Sequence, residues 1–333
     1  MRTVRLGWWL ATAVTAAAIT TTVAMAARSP LPDRPAPPAI PAVRPDNLTA
    51  RYAANRGYIE ASARFAAHLK DGRRQASLLR LAAPGRQILT FSPDGDGRVV
   101  EVIGDLARAD RIAIVVPGSD TTIDTFDSLG GVGGSLAGGS RALAAALADE
   151  APDVHVAVVA WYGYPAPRTL SPAVLTTGRA EVGGDLLNAF LHELQTVNPH
   201  APVTLLCHSY GSVTCLRTLT SGPPADRSNL AAVAVFGSPG MGSTPLPALH
   251  VTVPVWAGRD ADDWIADVPH TSVRILGHQI GFGLDPTAPA FGARSFPVSS
   301  GHSGYLRRGG AALRSLARIS LDLDPDLPVK SRG

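Results

Sequence analysis

Val203-Thr204-Leu205-Leu206-Cys207-His208-Ser209-Tyr210-Gly211-Ser212-Val213-Thr214-Cys215-Leu216 is the stretch on which the reading of this chain turns. A β-branched and leucine run ends in a serine flanked by turn-compatible residues, and a helix-compatible segment follows at once. That order describes a strand, a tight turn carrying an exposed nucleophile, and a helix. Ser209 is the candidate nucleophile.

Working outward, residues 112–116, 154–160, 203–207, 230–236 and 251–257 are short apolar runs, with a further one at 273–276. They alternate with helical stretches at 139–149, 179–196, 210–220 and 309–318. Fully apolar strands separated by helices predict a mostly parallel sheet with helices on both faces, an α/β fold. Two strands at 87–91 and 98–103, joined by Ser92-Pro93-Asp94-Gly95-Asp96-Gly97, predict a hairpin. Asp94 and Asp96 lack the glycine and glutamate spacing of a calcium-binding hand, so the segment reads as a turn. Residues 130–139 are glycine-rich but lie outside a strand-Gly-x-Gly-x-x-Gly-helix context, so they read as a mobile loop near the site rather than a phosphate cradle.

The N-terminal part has a different character. Arg2 and Arg5 precede an uncharged run over 6–27 that ends Ala24-Met25-Ala26, the order of a secretory signal. The run is also long enough to span a bilayer, so residues 1–27 are a signal peptide or an N-terminal membrane anchor, and the protein is expected to be exported. Seven prolines between Pro30 and Pro45 make residues 28–45 an extended linker. Residues 46–333 are expected to form the one main α/β domain, with a helical extension over 46–82 and a core over 83–333. Asp46 or Asn47 is expected to cap the first helix, whose apolar side includes Leu48, Tyr52, Ile59 and Leu69. Gly72 reads as its stop, ahead of a second helix through Leu81. Asn47-Leu48-Thr49 matches a glycosylation acceptor, but its place favours capping.

With 45% hydrophobic and 17% charged residues among 333, the chain has enough apolar surface for one large core. The net charge is +3, and removing Arg2 and Arg5 leaves 3 − 2 = +1, with no lysine-rich run to meet nucleic acid. The nine histidines show no metal-ligand spacing, so neither a metal nor another cofactor is expected. Cys207 and Cys215, eight positions apart across the turn, are expected to be free, buried and apolar.

A serine hydroxyl becomes nucleophilic when a histidine takes its proton, and the histidine needs an orienting carboxylate. Downstream of Ser209, the run at 251–257 leads into Gly258-Arg259-Asp260-Ala261-Asp262-Asp263-Trp264-Ile265. Asp263, next to apolar Trp264-Ile265, is the first choice for the acid, with Asp262 second. Of His270, His278 and His302, only His302 lies in a glycine- and serine-rich loop just ahead of the last helix, so it is the candidate base. His208 precedes the acid and is expected to pack behind the turn. The Tyr210 and Ser119 amides are the candidate oxyanion donors, with Gly118 keeping the backbone open. Trp161, Tyr162, Tyr164 and Trp264 are expected in the core or at its rim, with an acyl-chain wall as the alternative.

The chain also resembles the actinobacterial α/β-hydrolases catalogued as a domain of unknown function. The resemblance rests on Phe91-Ser92-Pro93-Asp94-Gly95-Asp96-Gly97, Val116-Pro117-Gly118-Ser119-Asp120, Ala160-Trp161-Tyr162-Gly163-Tyr164-Pro165, His208-Ser209-Tyr210-Gly211-Ser212, Phe236-Gly237-Ser238-Pro239-Gly240 and Gly301-His302-Ser303-Gly304-Tyr305. It implies an α/β-hydrolase fold and a serine-hydrolase core with Ser209 and His302 in the triad. Against the family pattern, Cys207 stands where a glycine is usual. The expected activity is hydrolysis of a small-molecule carboxylic ester through an acyl-enzyme. Acyl transfer, peptide hydrolysis and a non-catalytic envelope-associated binding role are the alternatives. Membrane association is expected only through residues 1–27, and oligomeric state is not legible.

Overall fold

The computed structural model describes residues 34–128, 134–275 and 278–326. The segment at 1–27 and the start of the proline-rich linker, residues 28–33, lie outside them. Among the described residues, no helix is long and apolar enough to cross a membrane.

Eight strands form the central sheet: β1 (Gln87–Ser92), β2 (Arg98–Ile103), β3 (Arg111–Val116), β4 (Val156–Tyr162), β5 (Val203–His208), β6 (Leu230–Phe236), β7 (Val255–Gly258) and β10 (Arg294–Ser295). Their order is β1-β2-β4-β3-β5-β6-β7-β10. The β1–β2 hairpin is antiparallel, β2 runs antiparallel to β4, and every pairing from β4 to β10 is parallel. This is the α/β-hydrolase fold. The central strands are apolar on both faces because helices cover both. On one face α3 (Leu136–Glu150) and α6 (Ala311–Ser320) bury Leu143, Leu147, Leu313 and Leu316 against Val115, Leu206 and Phe236. On the other, α4 (Gly178–Val197) and α5 (Tyr210–Thr220) bury Leu187, Leu191 and Val213 against Ile114, Leu205 and Val233.

Several expected boundaries move, each for a local reason. The strand expected at 251–257 begins only at Val255, because His250 is left-handed and Pro254 has no N–H to give the ladder. The run at 273–276 does not join the main sheet: β8 (Val273–Ile275) pairs antiparallel with β9 (His278–Ile280) in a separate two-stranded sheet. The last place in the main sheet falls instead to Arg294–Ser295, two exposed residues without apolar pattern. The glycine-rich loop expected over 130–139 is helical from Leu136, with the Ser135 hydroxyl accepting from the Gly138 N–H at 3.1 Å; residues 129–133 are not among those described.

The extension forms α1 (Leu48–His68) and α2 (Gly72–Leu81). Asn47 does not cap α1 through its side chain; its amide accepts from Arg44 N–H at 3.0 Å and donates to Ala42 O at 2.8 Å, tying down the linker end. Gly72 opens α2 rather than stopping α1. The break is the left-handed Lys70, and the Asp71 carboxylate caps α2 at the Arg74 N–H, 2.9 Å. Leu69 is exposed. Asn55 of α1 donates to Ile88 O and Leu89 O, both at 2.9 Å, at the register shift of β1, which joins the extension to the sheet edge.

The two cysteines are joined in a disulfide, contrary to the expectation that they are free. The left-handed residue at 209 turns α5 back along the strand it leaves, so Cys215 faces Cys207 with a Cα–Cα distance of 6.5 Å, inside the bridging range. Both are fully buried.

Candidate active site

Ser209 has φ 52° and ψ −127°, the strained backbone that lets β5 turn directly into α5. Such a residue costs on the order of 1–3 kcal/mol and persists only where its surroundings hold it. Here the Ser209 N–H donates to Phe236 O at 2.9 Å, and Ser209 O accepts from Ser212 N–H at 2.9 Å and the Ser212 hydroxyl at 2.6 Å. The turn also needs two glycines. A Cβ at Gly211 would stand 2.6 Å from Pro117 O, and one at Gly118 would stand 2.7 Å from Ser209 Cβ.

The structure brings Ser209, His302 and Asp263 together from three elements. His302 Nε2 lies 3.0 Å from Ser209 Oγ, and its Nδ1 lies 2.8 Å from Asp263 Oδ1. Asp263 is the first residue past the β7 loop, and its side chain is 0% exposed. Oδ1 also accepts from Ile265 N–H at 2.9 Å, and Oδ2 accepts from the Tyr305 hydroxyl at 2.6 Å. Burial alone would push this carboxyl up; hydrogen bonds from His302, Tyr305 and Ile265 outweigh it and hold the pKa below the usual value. Asp262, the second choice, is exposed. His270 instead meets Arg259, at 3.1 Å, and His278 opens β9.

Three supporting groups do not announce themselves in sequence. The His208 ring lies between Phe236 and His302, with centroids 5.4 and 4.9 Å away, and its Nε2–H donates to His302 O at 2.7 Å. Burial, with His302 beside it, lowers its pKa to about 4, so it is neutral and keeps that proton. Packing behind the turn was expected; the bond to the carbonyl of His302 itself was not. Asp260 accepts from Gly301 N–H at 2.8 Å and from Ser300 N–H, clamping the loop ahead of His302. Its pKa is lowered by the backbone N–H groups of Asp262, Gly301 and Ser300. Tyr305 accepts from Asp260 N–H at 3.1 Å while donating to Asp263. Only its place three residues after His302 hinted at this. Gly237, with φ +57°, ends β6 beneath the group: a Cβ there would meet Asp263 Oδ2 at 2.9 Å and His302 Nδ1 at 3.2 Å.

The alpha/beta hydrolase family profile matches residues 92–273, more than half of the chain. The chain belongs to the alpha/beta hydrolase family. It is 29% identical over 258 residues to the uncharacterized protein Rv2079 of Mycobacterium tuberculosis (strain ATCC 25618 / H37Rv), an alignment covering 68% of this chain and 37% of that protein. The chain thus spans well under half the length of this curated relative. Among solved structures it is similar to XC6422 from Xanthomonas campestris, described as an α/β serine hydrolase without lid. The identity is 17% and the TM-score 0.38, over 72% of this chain and 95% of that one. It is also similar to a Trichoderma reesei cutinase in complex with a phosphonate inhibitor, at 15% identity and a TM-score of 0.39, over 64% and 76%.

In this member of the family the first amide of α5, Tyr210 N–H, has no intrahelical acceptor, and the loop carrying Gly118 and Ser119 runs directly against Ser209. Tyr164 buttresses that loop by donating to Pro117 O at 2.7 Å. Tyr210 reaches the other way: its hydroxyl donates to Thr176 O at 2.7 Å, and burial raises its pKa to about 12. Trp161, Tyr162 and Tyr164 are core residues, whereas Trp264 is 52% exposed with its ring centroid 4.6 Å from that of His302. Among the described residues, no group of three or more His, Cys, Asp or Glu is placed to hold a metal ion.

Proposed function

We propose that the protein is a serine hydrolase that cleaves carboxylic esters through an acyl-enzyme. The observation that carries this reading is the continuous chain from Ser209 Oγ through the two His302 nitrogens to buried Asp263, at 3.0 and 2.8 Å. Ser209 Oγ attacks the ester carbonyl while His302 Nε2 takes its proton, and Asp263 holds the ring and stabilises the imidazolium. The developing oxyanion is met by the Tyr210 and Ser119 amides. His302 then gives the proton to the leaving alcohol, and water, activated by the same base, releases the acid and frees Ser209. No cofactor enters these steps.

A fluorophosphonate probe should label the wild-type protein and not Ser209→Ala, and short p-nitrophenyl esters should be hydrolysed only by the former. Asp263→Asn should lower kcat far more than Asp262→Asn. A folded wild-type sample that neither labels nor hydrolyses overturns the reading and favours a binding role.

Export through residues 1–27 belongs to the same proposal, supported by Arg2, Arg5 and the uncharged run after them. Fractionation with N-terminal sequencing of the mature protein tests it, a cytoplasmic, unprocessed chain being the contrary result.

A further inference from the structure

A cavity of about 220 Å³ lies between the Gly118–Ser119 loop, the start of α3 and the loop after His302. Hydroxyls dominate its polar lining: Ser119, Thr121, Thr125, Ser128, Ser135 and Ser303. Three of them are committed locally. Thr121 Oγ1 donates to Gly118 O, Thr125 Oγ1 donates to Asp120 O, and Ser135 Oγ accepts from Gly138 N–H. The hydroxyls of Ser119, Ser128 and Ser303 have no such partner among the described residues.

The charge of the lining is informative as well. Among the described residues no lysine or arginine lines the cavity, His208 is neutral, and the one formal charge is Asp120, whose carboxylate accepts from Thr169. A carboxylate or phosphate would enter without a counter-charge and beside an acid, an unfavourable placement. A plain alkyl group would leave hydroxyls facing it unpaired. Neutral groups that both donate and accept suit the lining, and Phe236 with Leu306 offers an apolar wall for the C–H face of a carbon ring or chain.

The cavity's position assigns it to one half of the substrate. Gly118, which lines it, lies against Ser209, and Ser303 directly follows His302, the base that returns its proton to the departing oxygen. We propose that this cavity receives the hydroxyl-bearing alcohol of the ester, so the substrate class is an acylated polyol or sugar. In the step concerned, the bond from Ser209 Oγ to the acyl carbon forms and the bond from that carbon to the polyol oxygen breaks. The proton taken from Ser209 passes through His302 to the polyol, and water later supplies the atoms that release the acid.

This inference rests on the serine-hydrolase reading, and its test separates the two. Full-length protein would be assayed on 6-O-butanoyl glucose, monobutanoyl glycerol and ethyl butanoate, which share one acyl group. The wild type should favour the two polyol esters over the ethyl ester by at least about 10-fold in kcat/KM, as expected when several hydroxyl contacts are lost together. Ser128→Leu, which intrudes on the cavity, should collapse that preference toward unity. Equal rates on all three esters by a protein that a fluorophosphonate labels at Ser209 overturn the polyol assignment alone, as does a preference that Ser128→Leu leaves intact. Absence of labelling brings down the hydrolase reading itself. The wild-type comparison needs no variant, so a Ser128→Leu protein that fails to fold still leaves the proposal open to refutation.

Discussion

Replacing Tyr305 with phenylalanine removes one oxygen from the least exposed part of the site. That oxygen donates to Asp263 Oδ2 at 2.6 Å and accepts from Asp260 N–H at 3.1 Å; Tyr305 itself is 1% exposed. Asp263 Oδ1 keeps its bonds to Ile265 and His302, but Oδ2 is left buried and without its donor. A hydrogen bond to a charged group contributes about 1.5–3 kcal/mol, so Tyr305→Phe should lose roughly that much stability at pH 7. The loss should carry a pH signature. Because the folded-state pKa of Asp263 is depressed, its stabilising contribution is present above the ordinary carboxylate value of 3.8 and is lost as pH falls through the depressed value. The tyrosine is one of the groups that depress it, so the gap between wild type and variant should be widest near neutrality and close as the carboxyl protonates. Urea unfolding of both proteins at pH values from 7 to well below 3.8, as far as the wild type stays folded, measures this, and kcat on a p-nitrophenyl ester should fall about 10-fold or more as the Asp263 carboxylate loses its anchor. A gap below about 0.5 kcal/mol, or one that does not change with pH, would show that the Tyr305 hydroxyl is not bonded to an ionised Asp263.

Other expected outcomes follow from the same geometry. His208 is neutral when folded but can protonate near its ordinary value of 6.5 when unfolded, so wild-type stability should fall as pH drops from about 6.5 to about 4, by at most roughly 3 kcal/mol. His208→Phe should flatten that slope, and an unchanged slope in urea titrations would count against a neutral buried imidazole. Gly237→Ala should reduce kcat by on the order of 100-fold, because its Cβ would displace Asp263 or His302; kinetics equal to wild type would contradict the close packing there. Reducing the Cys207–Cys215 bridge should lower the unfolding free energy by about 2–3 kcal/mol, read as a shift of the urea midpoint with and without a phosphine. No shift, with both thiols alkylated only in the reduced sample, would mean that the bridge contributes nothing to stability.

Much of the arrangement was legible because it is written in local pattern. Fully apolar runs such as 203–207 mark strands buried on both faces, and a serine between such a run and a helix marks the turn at Ser209. The order of Ser209, an aspartate after a late strand, and His302 before the last helix likewise depends on chain sequence, which folding does not alter. The choice between Asp262 and Asp263 has a different basis. The two are adjacent, identical and both in a loop, and only burial of one against Ile265, Tyr305 and His302 separates them.

What the amino-acid sequence determined by itself, then, was the parallel sheet, the strand-to-helix turn at Ser209 and the linear order of chemical groups, since these depend on residue type and spacing along one chain. The tertiary structure alone decided which groups support them. The bond from His208 to His302 O joins residues 94 positions apart, and the clamp of Asp260 on Ser300 and Gly301 spans 40 and 41. The edge strand at Arg294–Ser295 has no apolar period to betray it, because its pairing comes from where β7 ends. The disulfide, too, depends on the left-handed turn at Ser209 folding α5 back onto β5, a through-space fact that eight residues of sequence separation do not convey.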